Sequence, residues 1–252
     1  MGLVSTKTGR ETTMTEITRK IEIMEADYHR TLPPKLVLEH CMSAVLEEMR
    51  ATGGDRDRLY AHCGAVWMIS HARFFLSFPL LPGDELRFRA YPRVIEGNRY
   101  IFRADVTRDG VDAIRFDCSF IPVDKATRHV LRIPQVEPIW TVPARRAVSK
   151  ELFRMRDVCA FTPCGTDTVR MSDCDCNHHM TSGAYLALAC NALDFWGGGP
   201  ERYMRSMQID YAREVLPGTQ LSFSRGEADG ARYVRAYKPD GKTAFTARCV
   251  FD

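Results

Sequence analysis

The residues best equipped for chemistry stand in one short run, Ser172-Asp173-Cys174-Asp175-Cys176-Asn177-His178-His179-Met180. If this segment is extended, side chains alternate at period two and Asp175, Asn177 and His179 share one side. A carboxylate, an amide and an imidazole then face one place, a set suited to moving protons and holding a polar carbonyl. His179 also stands just ahead of a segment with helical apolar spacing. N–H groups at a helix start have no intrahelical acceptor and stabilise developing negative charge. Together these are the local equipment of acyl transfer.

Two other readings of the run stay open. Asp and Asn favour turns, so the segment also fits a polar turn that caps a helix and leaves its histidines exposed. An extended strand would in addition place Cys174, Cys176 and His178 on the opposite side. Zinc sites usually pair ligands at wider spacing, such as Cys-x-x-Cys, and the sequence offers no well-spaced fourth ligand. We therefore expect no metal and no cofactor.

The elements that must position these residues show in an internal repeat. Leu81-Pro82-Gly83 answers Leu216-Pro217-Gly218, and Arg99-Tyr100 answers Arg232-Tyr233. Asp109-Gly110 answers Asp240-Gly241, and Cys118-Ser119-Phe120 answers Cys249-Val250-Phe251 in the same order. The runs between them alternate as strands do, and Asp-Gly accepts the positive φ of tight hairpin turns. Each half also opens with a helix. The first has the stripe Leu38, Cys41, Met42, Val45, Leu46 and Met49 between Pro33-Pro34 and Gly53-Gly54. The second runs from about Ser182 to Trp196, with the stripe Leu186, Ala189, Cys190, Leu193 and Trp196 and with Thr181 or Ser182 as N-cap.

One helix followed by antiparallel strands, given twice, predicts an α+β fold of two sheets that each wrap a long central helix. Residues 1–13 are polar and aperiodic and read as a disordered lead, although Met1-Gly2-Leu3-Val4-Ser5-Thr6 fits the loose myristoylation pattern. The expected parts are then 14–140, a linker at 141–165 interrupted by prolines, and 166–252, with the boundary near residue 150.

The bulk numbers exclude several classes. At 252 residues, 45% hydrophobic and 27% charged, the chain can bury a full core and is neither collagen-like nor disordered. A net charge of only +3 gives little support to nucleic-acid binding. There is no apolar run of membrane-spanning length and no secretory signal core. Nine scattered cysteines suit reduced thiols in a cytosol.

The run Ser172, Asp173, Asp175, Asn177, His179 resembles the Ser-Asp-x-Asp-x-Asn-x-His signature of the acyl-acyl carrier protein thioesterases of plant plastids and bacteria. Tyr211-Ala212-Arg213-Glu214, one strand further on, is similar to that family's Tyr-Arg-Arg-Glu. The resemblance extends from about Thr15 to the end and implies a tandem, or double, hotdog fold. It implies Asp175, Asn177, His179 and Glu214 as the catalytic set, with Glu214 as the base for water. His179 and Asn177 would bind the thioester and Asp175 would orient them, the two carboxylates being open to exchange. Where the family often has a cysteine after this glutamate the chain has Val215, which excludes thiolate catalysis there. Thr181-Ser182 replaces the polar pair that usually follows the histidine and keeps a helix cap.

Aligned on the helices, the first half offers Asp27, His29 and Thr31 against Asp175, Asn177 and His179, and Pro79 against Glu214. One active site is therefore expected, with the first half as the wall of an acyl tunnel lined by Met42, Val45, Leu46, Trp67 and Ile69. The implied partner is an acyl carrier protein bearing a phosphopantetheine-linked acyl chain. Arg145, Arg146, Lys150, Arg154 and Arg156 form a basic cluster suited to docking an acidic carrier. Coenzyme A as the carrier, a non-catalytic acyl-thioester-binding regulator and a homodimer all stay open. Without transit-peptide features, the resemblance implies a bacterial, cytoplasmic protein.

Overall fold

The computed structural model describes residues 14–141, 145–146, 155, 159–197 and 203–252. The lead at 1–13 and three members of the basic cluster, Lys150, Arg154 and Arg156, lie outside the described residues.

Strand β1 (Thr15–Lys20) leads through a 3-10 turn at Ile23–Glu25 into helix α1 (Pro34–Ala51). The helix starts at the proline whose fixed φ and missing N–H suit a first helical position. It stops before Gly53, whose φ of 85° ends the ladder. Its buried face carries Val37, Leu38, Cys41, Met42, Val45 and Met49. Leu46 departs from the expected stripe and is 44% exposed. The buried Glu48 carboxylate ties β1 to this helix by accepting from Thr15 N–H at 2.8 Å and from its hydroxyl at 2.6 Å.

Helix α2 (Arg56–Cys63) follows, then β2 (Ala65–Leu76), β3 (Glu85–Glu96), β4 (Arg99–Arg108) and β5 (Val111–Asp124). A short α3 (Ile133–Val136) and β6 (Arg145–Arg146) close the half. The expected hairpin turn forms between β4 and β5, where Asp109 and Gly110 take φ of 52° and 78°. Strand order is β1-β3-β4-β5-β2, with β6 parallel to β3.

The second half repeats this plan. It contains β7 (Thr162–Thr168), α4 (Ser182–Ala192), β8 (Met204–Tyr211), β9 (Gln220–Ala228), β10 (Ala231–Tyr237) and β11 (Thr243–Phe251). Strand order is β7-β9-β10-β11-β8, the same as in the first half element for element. Helix α4 packs on β7, β9, β10 and β11 and buries nearly every residue from Gly183 to Cys190. It ends four residues before the expected Trp196, since Asp194 turns left-handed at φ 51° and Phe195–Gly197 forms a 3-10 turn.

Packing divides the chain into two compact units that are not consecutive stretches. One contains His40–Ala72 with β3 to β5; the other contains Ile21–Glu39, Arg73–Gly83 and β7 to β11. The division falls inside α1 and β2.

An aromatic cluster fills the first unit. Trp140 stacks on Tyr100 at 5.5 Å and on Phe102 at 5.9 Å, and Trp67 meets Trp140 edge-on at 5.4 Å. Gly54 lies directly under the Trp140 ring, where a Cβ would overlap Cε2 and Cδ2. Gly54→Ala should therefore destabilise the fold by about 1–3 kcal/mol, the usual scale for overpacking. Urea unfolding followed by tryptophan fluorescence measures this, and unchanged stability would show that Trp140 yields without cost.

Candidate active site

The run from Cys174 to Met180 is a tight turn, not the extended strand that alternation would require. Cys174 and Met180 form an isolated antiparallel bridge, and between them Asp175 N–H donates to His179 C=O at 3.0 Å. His178 N–H donates to Asp175 C=O at 2.9 Å, and His178 takes the left-handed φ of 64° that the turn needs. The Asp175 carboxylate closes the turn, accepting from Asn177 N–H at 2.8 Å and from Asn177 Nδ2 at 3.1 Å. An Asp side chain that bonds the backbone two residues on competes directly with a strand, and it prevails here.

The turn therefore does not align Asp175, Asn177 and His179 by alternation. It brings Asp175 and Asn177 together at the surface, where both are exposed, and directs His179 elsewhere. His179 Nε2 lies 3.0 Å from Glu214 Oε2, with the two side chains 28% and 34% exposed. The Oε2 atom itself is sealed from solvent. An imidazole and a carboxylate at this distance, both part-exposed, are placed so that they could act as an acid–base pair.

Neighbouring contacts hold this pair. Met180 N–H, just after the histidine, donates to the carbonyl of Val215, just after the glutamate, at 2.9 Å. Thr181 caps α4 as expected, its hydroxyl accepting from Ala184 N–H at 3.1 Å. Tyr185, one turn into α4, donates its hydroxyl to Arg213 C=O at 3.0 Å, and Tyr211 donates to Ser182 C=O at 3.2 Å. Lys238 Nζ reaches Glu214 C=O at 3.4 Å. Burial pushes the Tyr185 phenol well up, a contact with Val215 partly opposing and the Glu214 charge adding to it. The phenol is therefore a neutral donor at any ordinary pH.

Sequence reasoning missed Tyr185 and Lys238. Tyr185 has a signal in the sequence, a polar-tipped aromatic on a helix otherwise apolar at that level, since a buried hydroxyl needs a partner. Lys238 meets the site across the sheet and leaves no local sign.

The other expected residues fall as follows. Met42 and Val45 are buried on α1, while Leu46 is exposed. Trp67 and Ile69 are half-buried on β2, with Trp67 Nε1 donating to Gly54 C=O at 2.8 Å. Arg145 and Arg146 form β6, in register with Val94 and Ile95. Among the described residues no group of three or more His, Cys, Asp or Glu side chains is placed to hold a metal. Burial first, with Asp173 and Asp175 adding, raises the Cys174 thiol and disfavours its thiolate. No described helix is long and apolar enough to cross a membrane.

By sequence, no family model and no curated protein matches the chain. By structure, the chain is similar to an acyl-ACP thioesterase from Bacteroides thetaiotaomicron, with a TM-score of 0.80 at 16% identity over 95% of this chain and 98% of that one. A 12:0-ACP thioesterase from Umbellularia californica gives 0.76 at 16% identity, covering 95% and 97%. HtdX of Mycobacterium tuberculosis is more distant, at 0.56 and 14% identity over 93% and 99%. Over nearly its whole length, the chain has the α+β tandem hotdog fold of the acyl-ACP thioesterases.

Proposed function

We propose that the chain hydrolyses the thioester of fatty acyl-acyl carrier protein, releasing a free fatty acid and the carrier thiol. The observation that carries this reading is the His179–Glu214 approach of 3.0 Å, in a fold whose similar structures include acyl-ACP thioesterases.

Hydrolysis needs an activated water, a polarised carbonyl and a departing thiol. Glu214 takes the proton from water. His179, its Nε2 3.0 Å from Glu214 Oε2, stands beside the base and binds the thioester carbonyl. The first turn of α4 supplies N–H groups for the developing oxyanion, since those of Ser182 and Gly183 have no intrahelical acceptor and Thr181 takes that of Ala184. Asp175 keeps the turn closed and so positions His179. Asn177, with one N–H held by Asp175, meets the thioester with the rest of its exposed amide. The first hotdog serves as the acyl-binding half, with Met42, Val45, Trp67 and Ile69 toward the chain and Leu46 at its rim.

Thiol release measured over acyl carrier protein and coenzyme A thioesters of graded chain length tests the activity, the carrier and the length together. His179→Ala and Glu214→Gln should each lower turnover at least about a hundredfold, the usual scale for an acid–base residue. Folded variants with wild-type turnover would remove both residues from the mechanism. Binding of acyl thioester with no turnover by the wild type would instead support a regulatory binder.

The basic cluster supports a carrier with an acidic surface. Exposed charge pairs speed encounter and fade as salt shortens the screening length below about 10 Å. Raising salt should lower kcat/KM for acyl carrier protein and leave a small acyl thioester unaffected. Arg145→Glu with Arg146→Glu should reproduce that loss at low salt. Equal salt sensitivity for both substrates would place carrier docking elsewhere.

A further inference from the structure

Gly183 is the second residue of α4, it is buried, and its backbone lies outside the left-handed region that favours glycine. Conformation gives no reason for its missing side chain. The reason is Glu39 of α1: a Cβ on Gly183 would overlap Glu39 Oε1 and lie 2.8 Å from Cδ and 3.0 Å from Cγ. The carboxyl group of Glu39 is thus pressed onto the backbone at the start of α4.

That stretch of backbone belongs to the site. Thr181 N–H is bonded to Asp173 C=O at 2.8 Å, and Ser182 C=O to the Tyr211 hydroxyl at 3.2 Å. Residues 179 to 183 therefore carry the His179–Glu214 pair at one end and the Glu39 carboxyl at the other. The two glutamates have different surroundings. Glu214 faces the His179 imidazole at 3.0 Å. Glu39 is two-thirds covered, its side chain 33% exposed, and the cation beside it is Lys35 at 4.0 Å. Burial raises the Glu39 carboxyl above the usual range and Lys35 only partly opposes this, so Glu39 keeps its proton to higher pH than an ordinary carboxyl. Two carboxyls in different surroundings can divide the roles of base and acid in a single site.

The geometry points to Glu39 as a further catalytic residue of this centre, the acid that protonates the departing thiol. This role rests on the thioester hydrolysis proposed above. Water oxygen adds to the carbonyl carbon while Glu214 takes the water proton, and the carbonyl electron pair moves to oxygen. The pair then returns, the carbon–sulfur bond breaks with its electrons on sulfur, and sulfur receives the Glu39 proton. Water and thioester become carboxylic acid and thiol, and proton exchange with solvent resets both glutamates.

Leaving-group dependence separates this role from a structural one. An acid is needed for an alkyl thiol, with a pKa of about 8.5 for a cysteine-like group, and not for a far more acidic nitrothiophenol. The probes are an N-acetylcysteamine thioester and a 4-nitrothiophenyl thioester of the same acyl chain. Glu39→Gln should lower kcat on the alkyl thioester at least about tenfold, below the usual acid-catalysis scale because thiols leave readily. The aryl thioester should change by no more than about threefold on the same scale. Glu39→Asp should recover part of the alkyl rate. Equal losses on both thioesters, or none, would overturn the role of Glu39 alone. Should the variants fail to fold, the wild type still decides: acid assistance predicts rates that vary little with thiol acidity, and a steep dependence overturns it. Failure of the wild type to cleave either probe overturns the thioesterase reading and this role with it.

Discussion

One backbone hydrogen bond sets the geometry on which the site depends. Met180 N–H to Val215 C=O, 2.9 Å long, joins the residue after His179 to the residue after Glu214. Both anchoring side chains are buried, Met180 and Val215 alike, so the bond forms away from water. Its net contribution is about 1 kcal/mol, but leaving either buried group unpaired would cost about 1–3 kcal/mol. The larger figure matters more, because it makes alternative registers expensive. A slip of one residue in this contact would carry the imidazole and the carboxylate apart while the sheets stayed intact.

The same device stands in the first half, where Thr31 and Pro79 occupy the places of His179 and Glu214. Leu32 N–H donates to Leu80 C=O at 2.8 Å, joining the residues after Thr31 and Pro79. Asp27 closes a turn like that of Asp175: its N–H donates to Thr31 C=O at 2.9 Å, and its carboxylate accepts from His29 N–H at 2.9 Å. Arg30 is left-handed at φ 61°, as His178 is at φ 64°. Even the outer lock recurs, Gly83 N–H to Ile21 C=O and Gly218 N–H to Val169 C=O, both 2.8 Å. The aspartate is thus sufficiently explained by turn closure in both halves. Its carboxylate needs no proton-transfer role to account for its presence beside Asn177.

Much of the plan was legible in the sequence because it rests on local chemistry. The prolines before α1, the Thr181 cap and the Asp109-Gly110 turn each act through their own backbone, and each stands where the residue type predicts. The ordered repeat likewise gave matching strands, with Tyr100 on β4 and Tyr233 on β10, and Cys118 on β5 and Cys249 on β11. The extended reading of residues 175 to 179 failed for an equally local reason. Period two assumes a strand, whereas an Asp two residues before an Asn offers the backbone a competing partner. What the sequence could not display were contacts between distant segments: the imidazole on Glu214, the Tyr185 hydroxyl on Arg213, and the Glu39 carboxyl on Gly183. A glycine at the second position of a helix is the single trace that the last of these leaves.

The duplication also bears on how far a fold can speak for a function. Both halves share strand order, turn geometry and the backbone bonds that lock the turn, and structures as distant as HtdX share the overall arrangement. Nothing in that common frame distinguishes a hydrolase from a protein that only holds an acyl chain. The two halves differ at two positions held alike: Thr31 and Pro79 in the first half, His179 and Glu214 in the second. A hydroxyl and a proline ring cannot exchange a proton near neutrality, while an imidazole and a carboxylate can. If the proposed function holds, the first half is an internal control on the second, with the scaffold kept and those two positions changed. Under the proposed function those two side chains would carry the chemistry, and the hotdog frame sets only where they meet.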